Sequence, residues 1–193
     1  MDVLFDEITL KTLNELERTQ KEFWNISRQT GLLLNTFIKM MNAKSVLEIG
    51  TSNGYSGLWI SKALKTTGGK LTTIEYFDKR QSIAMKNFKK CGVANIIRTL
   101  QGSAIKILSA LSPDEKFDFV FIDANKSEYV QYFELIKPHL TKRAFITADN
   151  ITSHPEKVQS FIDAIADDNE FQYEIIDISG GLLIASRKFN SKD

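Results

Sequence analysis

The chain has 193 residues, 42% hydrophobic and 25% charged, and its 25 Lys and Arg against 24 Asp and Glu leave a net charge of +1. That length suits one domain burying about two-thirds of its unfolded surface, and so even a balance gives no basic footprint for nucleic acid. The single cysteine, Cys91, excludes an internal disulfide or a Cys-rich zinc site, no apolar run approaches the roughly 18 residues that span a bilayer, and no signal-peptide pattern opens the chain, so a cytoplasmic protein is expected.

Helical periodicity comes first. Leu4, Ile8, Leu10, Leu13 and Leu16 recur at three- and four-residue steps, and a second helix is predicted over 29–41. Residues 1–43 therefore read as a helical N-terminal extension of one domain covering 1–193. Apolar side chains of these helices, Leu4 and Trp24 among them, are the expected surface of a homodimer; packing on their own domain is the other use open to them.

After residue 43 the pattern alternates. Strands are predicted over 45–49, 70–75, 96–101, 117–122 and 144–147, and helices over 54–64, 78–90, 104–111, 127–137 and 156–167. Two closing strands, 173–178 and 182–186, flank Gly180-Gly181 in hairpin fashion. The alternation implies βαβ crossovers and an α/β fold with a doubly wound, mostly parallel sheet of seven strands. The hairpin adds one antiparallel strand.

Ligands of such sheets bind beyond the carboxyl ends of the strands, so the residues that follow each strand carry the functional reading. The first strand runs into VLEIGTSNGYSG. Gly50 and Gly54 let the backbone turn tightly and approach a ligand, although plain turn glycines would look the same. A dinucleotide loop wants G-x-G-x-x-G; here Ser52 holds the place of the central glycine, and the acid Glu48 suits a cationic cofactor better than a diphosphate. The second strand ends in Glu75, placed to accept both hydroxyls of a ribose; a helix-start acid favoured by the macrodipole is the alternative. The third is followed by QGSA, whose Ser103 and Ala104 are small enough for the edge of an adenine ring.

FIDANKSEY and FITADNI end the fourth and fifth strands. Asp123, Asp149 and Asn150 offer oxygen only, which suits a hard ion such as Mg²⁺; helix capping is the ordinary use of each acid taken singly. The two histidines, His139 and His154, are not spaced for zinc. Lys126 opens a helix against the sign of its dipole, where a solvated surface lysine is the plain reading.

In order and spacing, VLEIGTSNGYS, TTIEYF, QGSA, FIDANKSEY and TADN resemble the cation-dependent O-methyltransferases, the family of the caffeoyl-CoA and catechol enzymes, over about residues 27–188. The resemblance implies a Rossmann-like methyltransferase sheet. It also implies transfer of a methyl group from S-adenosylmethionine to one hydroxyl of a small ortho-dihydroxy aromatic acceptor. By the same likeness Asp123, Asp149 and Asn150 hold Mg²⁺ or a similar divalent cation, and Lys126 is the general base. Glu48, Gly50, Thr51, Gly54, Ser56, Glu75, Ser103, Ala104, Asp123 and Asn125 line the cofactor. Asn125 stands where the caffeoyl-CoA branch commonly has aspartate. The acid that anchors the second hydroxyl in the catechol branch falls near Glu174. An NAD-linked oxidoreductase lacks its central glycine here, and a nucleic-acid methyltransferase lacks its Pro-Pro pair. A non-catalytic adenosylmethionine-binding module remains the alternative from another class.

Overall fold

The computed structural model describes residues 5–188. Three helices come first: α1 (Glu7–Glu17), α2 (Gln20–Phe23) and α3 (Arg28–Met40). Asp6 caps α1 by accepting from the Thr9 backbone N–H at 2.9 Å, and Ser27 caps α3 by accepting from that of Thr30 at 3.0 Å. The expected apolar stripe of α1 is only partly the buried one. Thr9, Thr12 and Leu13 face inward while Ile8 is exposed. The threonines can go inside because their hydroxyls are satisfied locally, that of Thr12 donating to the Ile8 carbonyl. Leu4 lies outside the described residues. Trp24 is 72% exposed, with the Arg80 guanidinium 4.7 Å above its ring.

The remaining elements alternate: β1 (Ser45–Ile49), α4 (Tyr55–Thr67), β2 (Lys70–Glu75), α5 (Asp78–Lys90), β3 (Ile97–Gln101), α6 (Ala104–Ser109) and β4 (Phe117–Ile122). Then come α7 (Tyr129–Ile136), β5 (Leu140–Ala148), α8 (Pro155–Ala166), β6 (Phe171–Ile176) and β7 (Leu182–Arg187). The seven strands form one sheet in the order β3-β2-β1-β4-β5-β7-β6. Its first five strands are mutually parallel, and β7 runs antiparallel to both neighbours.

Both faces are covered, so the central strands are apolar on both sides. Leu47, Ile49, Val120 and Ile122 pack with α6, α7 and α8 on one face, while Val46, Phe119 and Phe121 pack with α1, α3, α4 and α5 on the other. Among the described residues no helix is long and apolar enough to cross a membrane.

Three expected elements are corrected. β5 begins at Leu140, four residues early, because its exposed Lys142 and Arg143 interrupt the apolar run without interrupting the strand. The helix expected over 127–137 is three pieces, a 3-10 turn at Lys126–Glu128, α7, and a second 3-10 turn at Lys137–His139 where Pro138 has no N–H to give. β6 ends at Ile176, since the turn into β7 starts at Ile178, whose carbonyl accepts from Gly181 at 2.9 Å.

Candidate active site at the carboxyl edge of the sheet

Strand order reverses between β1 and β4, and there the tips rise in steps. Gly50 N–H donates to the Ile74 carbonyl at 3.0 Å, Asp123 N–H to that of Ile49 at 2.9 Å, and Asp149 N–H to that of Ile122 at 3.0 Å. The residues singled out after β1, β2, β4 and β5 thus meet along one edge.

Gly50 has φ +109°, and a Cβ there would overlap the Asp123 carbonyl; at Gly54, φ +89°, it would meet the Phe88 ring at 2.8 Å. At both positions glycine is needed for a close approach within the chain itself. Ser52, also left-handed at φ 48°, donates its N–H to Glu75 Oε2 at 2.7 Å and its hydroxyl to the Phe23 carbonyl at 2.9 Å. The other Glu75 oxygen accepts from Phe77 N–H at 2.9 Å. Backbone amides thus fix this carboxylate at the rim. Gly102 N–H donates to the Glu75 carbonyl at 2.9 Å, which sets Ser103 and Ala104 beside it.

Glu48 is placed differently. It is fully buried behind the loop, where Ser56 and Thr73 hydroxyls donate to its two oxygens at 2.6 Å each. Because Thr73 spends its proton on Glu48, Thr51 must be the donor in the 2.5 Å contact between the two threonine hydroxyls. Burial pushes the Glu48 carboxyl up to about 7, against the two hydroxyl bonds and with a further push from the charges of Asp123 and Glu75. The structure brings Glu48 together with Thr51 and Ser56, buried under the loop.

Two acids end β4 and β5, Asp123 partly buried and Asp149 almost fully so. Lys126 Nζ pairs with Asp123 Oδ1 at 3.0 Å, yet burial outweighs the lysine and the Asp123 carboxyl still ionises above its ordinary range. Asp149, 3% exposed, is pushed to about 8 by burial and then by the negative charge of Asp123. Its Oδ1 is buried with no hydrogen-bond partner. A carboxylate oxygen left so beside a second acid is costly unless a cation completes it, so the pair fits a divalent ion. Among the described residues no group of three or more His, Cys, Asp or Glu that could hold a metal gathers anywhere, so the site rests on these two acids and the neighbouring amide. Asn150, left-handed at φ 64°, adjoins Asp149, and its carbonyl accepts from the Ser153 hydroxyl at 3.3 Å.

Asn125 is exposed and uses Oδ1 to cap the turn at Ser127 N–H, 3.3 Å away. Glu174 is not brought to the edge. It sits exposed on the outer strand β6, paired with Ile184 and short of the tip. Sequence reasoning missed Thr73, the Phe23 carbonyl and Tyr129. The Tyr129 hydroxyl lies 3.2 Å from the Asp149 carbonyl, and its ionisation is pushed far above the ordinary value by burial and then by the charges of Asp123 and Asp149. An apolar groove of about 330 Å³ between α6 and α7, lined by Ile105, Val130 and Leu135, borders none of these residues.

A family model described as O-methyltransferase matches residues 4–188. Catechol O-methyltransferase of Niastella koreensis is 33% identical over 148 residues, 76% of this chain and 66% of that protein. Caffeoyl-CoA O-methyltransferase 1 of Arabidopsis thaliana is 36% identical over 131 residues, 64% of this chain and 49% of that one. The matches thus span about half to two-thirds of the length of these curated relatives. Among solved structures, the O-methyltransferase TomG of Streptomyces achromogenes, in complex with SAM, superposes with a TM-score of 0.83 at 26% identity, over 95% of this chain and 91% of that one.

Proposed function

This chain belongs to the O-methyltransferase family, and from that premise we propose that it transfers the methyl group of S-adenosylmethionine to one hydroxyl of a small ortho-dihydroxy aromatic acceptor, with Mg²⁺ or a similar divalent cation. The observation that carries the cation is the buried, unpartnered Asp149 Oδ1 beside Asp123. Support for the donor comes from Glu75, an acid at the β2 tip held by backbone amides, and from the relative solved with SAM.

In this reading Asp123, Asp149 and Asn150 hold the cation, which when bound supplies the positive charge that acidifies the acceptor hydroxyl. Glu75 receives the ribose hydroxyls. Gly50, Thr51, Gly54, Ser56, Ser103, Ala104 and Asn125 border the donor, and Glu48 adds negative charge beneath the loop, complementary to a cationic donor. Lys126, beside Asp123, takes the hydroxyl proton on Nζ once it stands there as the neutral amine, which the step returns to the ammonium form paired with Asp123. The acceptor oxygen then bonds to the methyl carbon as the carbon–sulfur bond breaks and its electron pair stays on sulfur. Holding the two reactants in line contributes much of the rate.

A panel of ortho-dihydroxy aromatics tests this with S-adenosylmethionine and Mg²⁺. EDTA should abolish turnover and Mg²⁺ restore it, while calorimetry shows donor binding unchanged. Asp149→Ala should match the EDTA state permanently. Lys126→Met should bind donor and cation yet lose about 10²–10⁴ in turnover. Full activity in EDTA would remove the cation and leave the two aspartates as structural groups.

A further inference from the structure

Tyr129 opens α7 with its side chain fully buried. Its hydroxyl lies 3.2 Å from the Asp149 carbonyl and 3.4 Å from that of Ile122. The Ile122 carbonyl also accepts the Asp149 N–H at 3.0 Å, so the tyrosine oxygen sits at the last rung where β4 and β5 run together. The ring has a second neighbour at the edge, for Lys126 Nζ stands 5.9 Å from its centroid and 3.0 Å from Asp123 Oδ1. Tyr132, 6.2 Å away, and Phe161, 5.6 Å away, fix the ring from the core side. Phenylalanine would serve that packing equally well, whereas a buried hydroxyl costs desolvation unless its bond does something. Here one side chain touches the main chain of the Asp149 tip and the cation paired with Asp123.

We propose, resting on the divalent-cation reading above, that Tyr129 is a positioning residue for that site: its hydroxyl fixes the main chain of Asp149 and its ring seats Lys126, so the two carboxylates keep the spacing a cation needs. Its hydroxyl bonds only to main-chain carbonyls and to no reacting atom. Removing the hydroxyl loosens one carboxylate against the other, which weakens cation affinity and spares the chemistry once the site is filled. Outer partners of metal ligands typically contribute about 10- to 100-fold in affinity.

The test is Tyr129→Phe against the intact protein, with Mn²⁺ binding followed directly by calorimetry and turnover followed as a function of Mg²⁺. The expected result is Mn²⁺ affinity about tenfold weaker, donor affinity unchanged, and turnover restored to within about threefold at saturating Mg²⁺. Tyr132→Phe is the control, because its partly buried hydroxyl donates to the Glu128 side chain at 2.6 Å and not to a strand tip; it should bind Mn²⁺ like the parent. Unchanged Mn²⁺ affinity in Tyr129→Phe, or a turnover loss that Mg²⁺ does not recover, overturns the assignment and leaves the cation reading intact. An intact protein that binds no Mn²⁺ overturns both. Should Tyr129→Phe fail to fold, the protein carrying 3-fluorotyrosine at its five tyrosines gives the answer by fluorine resonance. The Tyr129 signal should shift as Mg²⁺ binds, and a signal that stays fixed while Mg²⁺ binds overturns the proposal.

Discussion

At position 50 a hydrogen in place of Cβ lets two strand ends touch. Gly50→Ala would combine a left-handed backbone at φ +109° with overlap of the Asp123 carbonyl, whereas Gly68 has φ +73° and nothing within 4 Å of where a methyl group would stand. Backbone strain alone costs about 1–2 kcal/mol, so Gly68→Ala should lose about that much and Gly50→Ala about 3 kcal/mol or more. Urea unfolding of the two variants measures the difference, and equal losses would show that the approach to Asp123 relaxes freely. Glu48 makes the second prediction at this scale. Its folded carboxyl ionises near 7 against 4.5 for the free group. Folding therefore favours the protonated form, and the stability it adds is full below pH ~4.5 and lost as pH rises through ~7, about 3 kcal/mol in all. Glu48→Gln keeps Ser56 and Thr73 as partners and has no proton to lose. Its stability relative to the parent should rise between pH 5 and pH 8, and a flat difference would mean that Glu48 is ionised throughout.

Elements differ in how far a sequence declares them. The strands at 45–49, 70–75 and 117–122 and the helix at 78–90 are legible to the residue, because the strands are short apolar runs with charged or turn residues at both ends and the helix is a polar run between two strands. β5 is not, since two exposed charges sit inside it, and α2 is too short to show any period. The acids at the strand tips are legible as chemical types. Their partners are not, because Thr73 reaches Glu48 through the register of β1 on β2 and Tyr129 reaches Asp149 across α7 and β5, distances of 25 and 20 residues that no local pattern records. The same holds for α2, whose Phe23 carbonyl is tied to the loop residue Ser52 and whose capping residue Trp24 stands exposed under Arg80. That contact makes α2 a reporter of the proposed donor site. Adding S-adenosylmethionine should change the tryptophan emission, and Trp24→Phe should abolish the change, because Trp59, the other of the two, is buried in the core at 1% exposure. An emission change that survives in Trp24→Phe would detach α2 from the loop.

Taken as a whole, the molecule gathers its raised carboxyls at one edge: Glu48 near 7, Asp149 near 8, and Asp123 above its ordinary range despite Lys126. All three shifts have the same sign. Each group is held more easily protonated in the fold than in the unfolded chain, so each adds stability at low pH and withdraws it as pH rises through its folded value. The ligand-free protein should therefore melt progressively lower from pH 6 to pH 8, in the window set by Glu48 and Asp149. A cation that binds the folded chain alone opposes this, giving about 2.7 kcal/mol at 100 times its Kd. It must also displace the proton that Asp149 holds near neutrality, so it binds more weakly at pH 6. Mg²⁺ should accordingly raise the melting temperature by several degrees at pH 8 and by much less at pH 6, with NaCl at matched ionic strength as the control. Asp149→Asn removes the titrating oxygen that has no partner, so it should melt higher than the parent at pH 8 without Mg²⁺ and respond little when Mg²⁺ is added. A Mg²⁺ response of equal size at both pH values, or one that persists in Asp149→Asn, would show that the cation binds somewhere other than these strand tips.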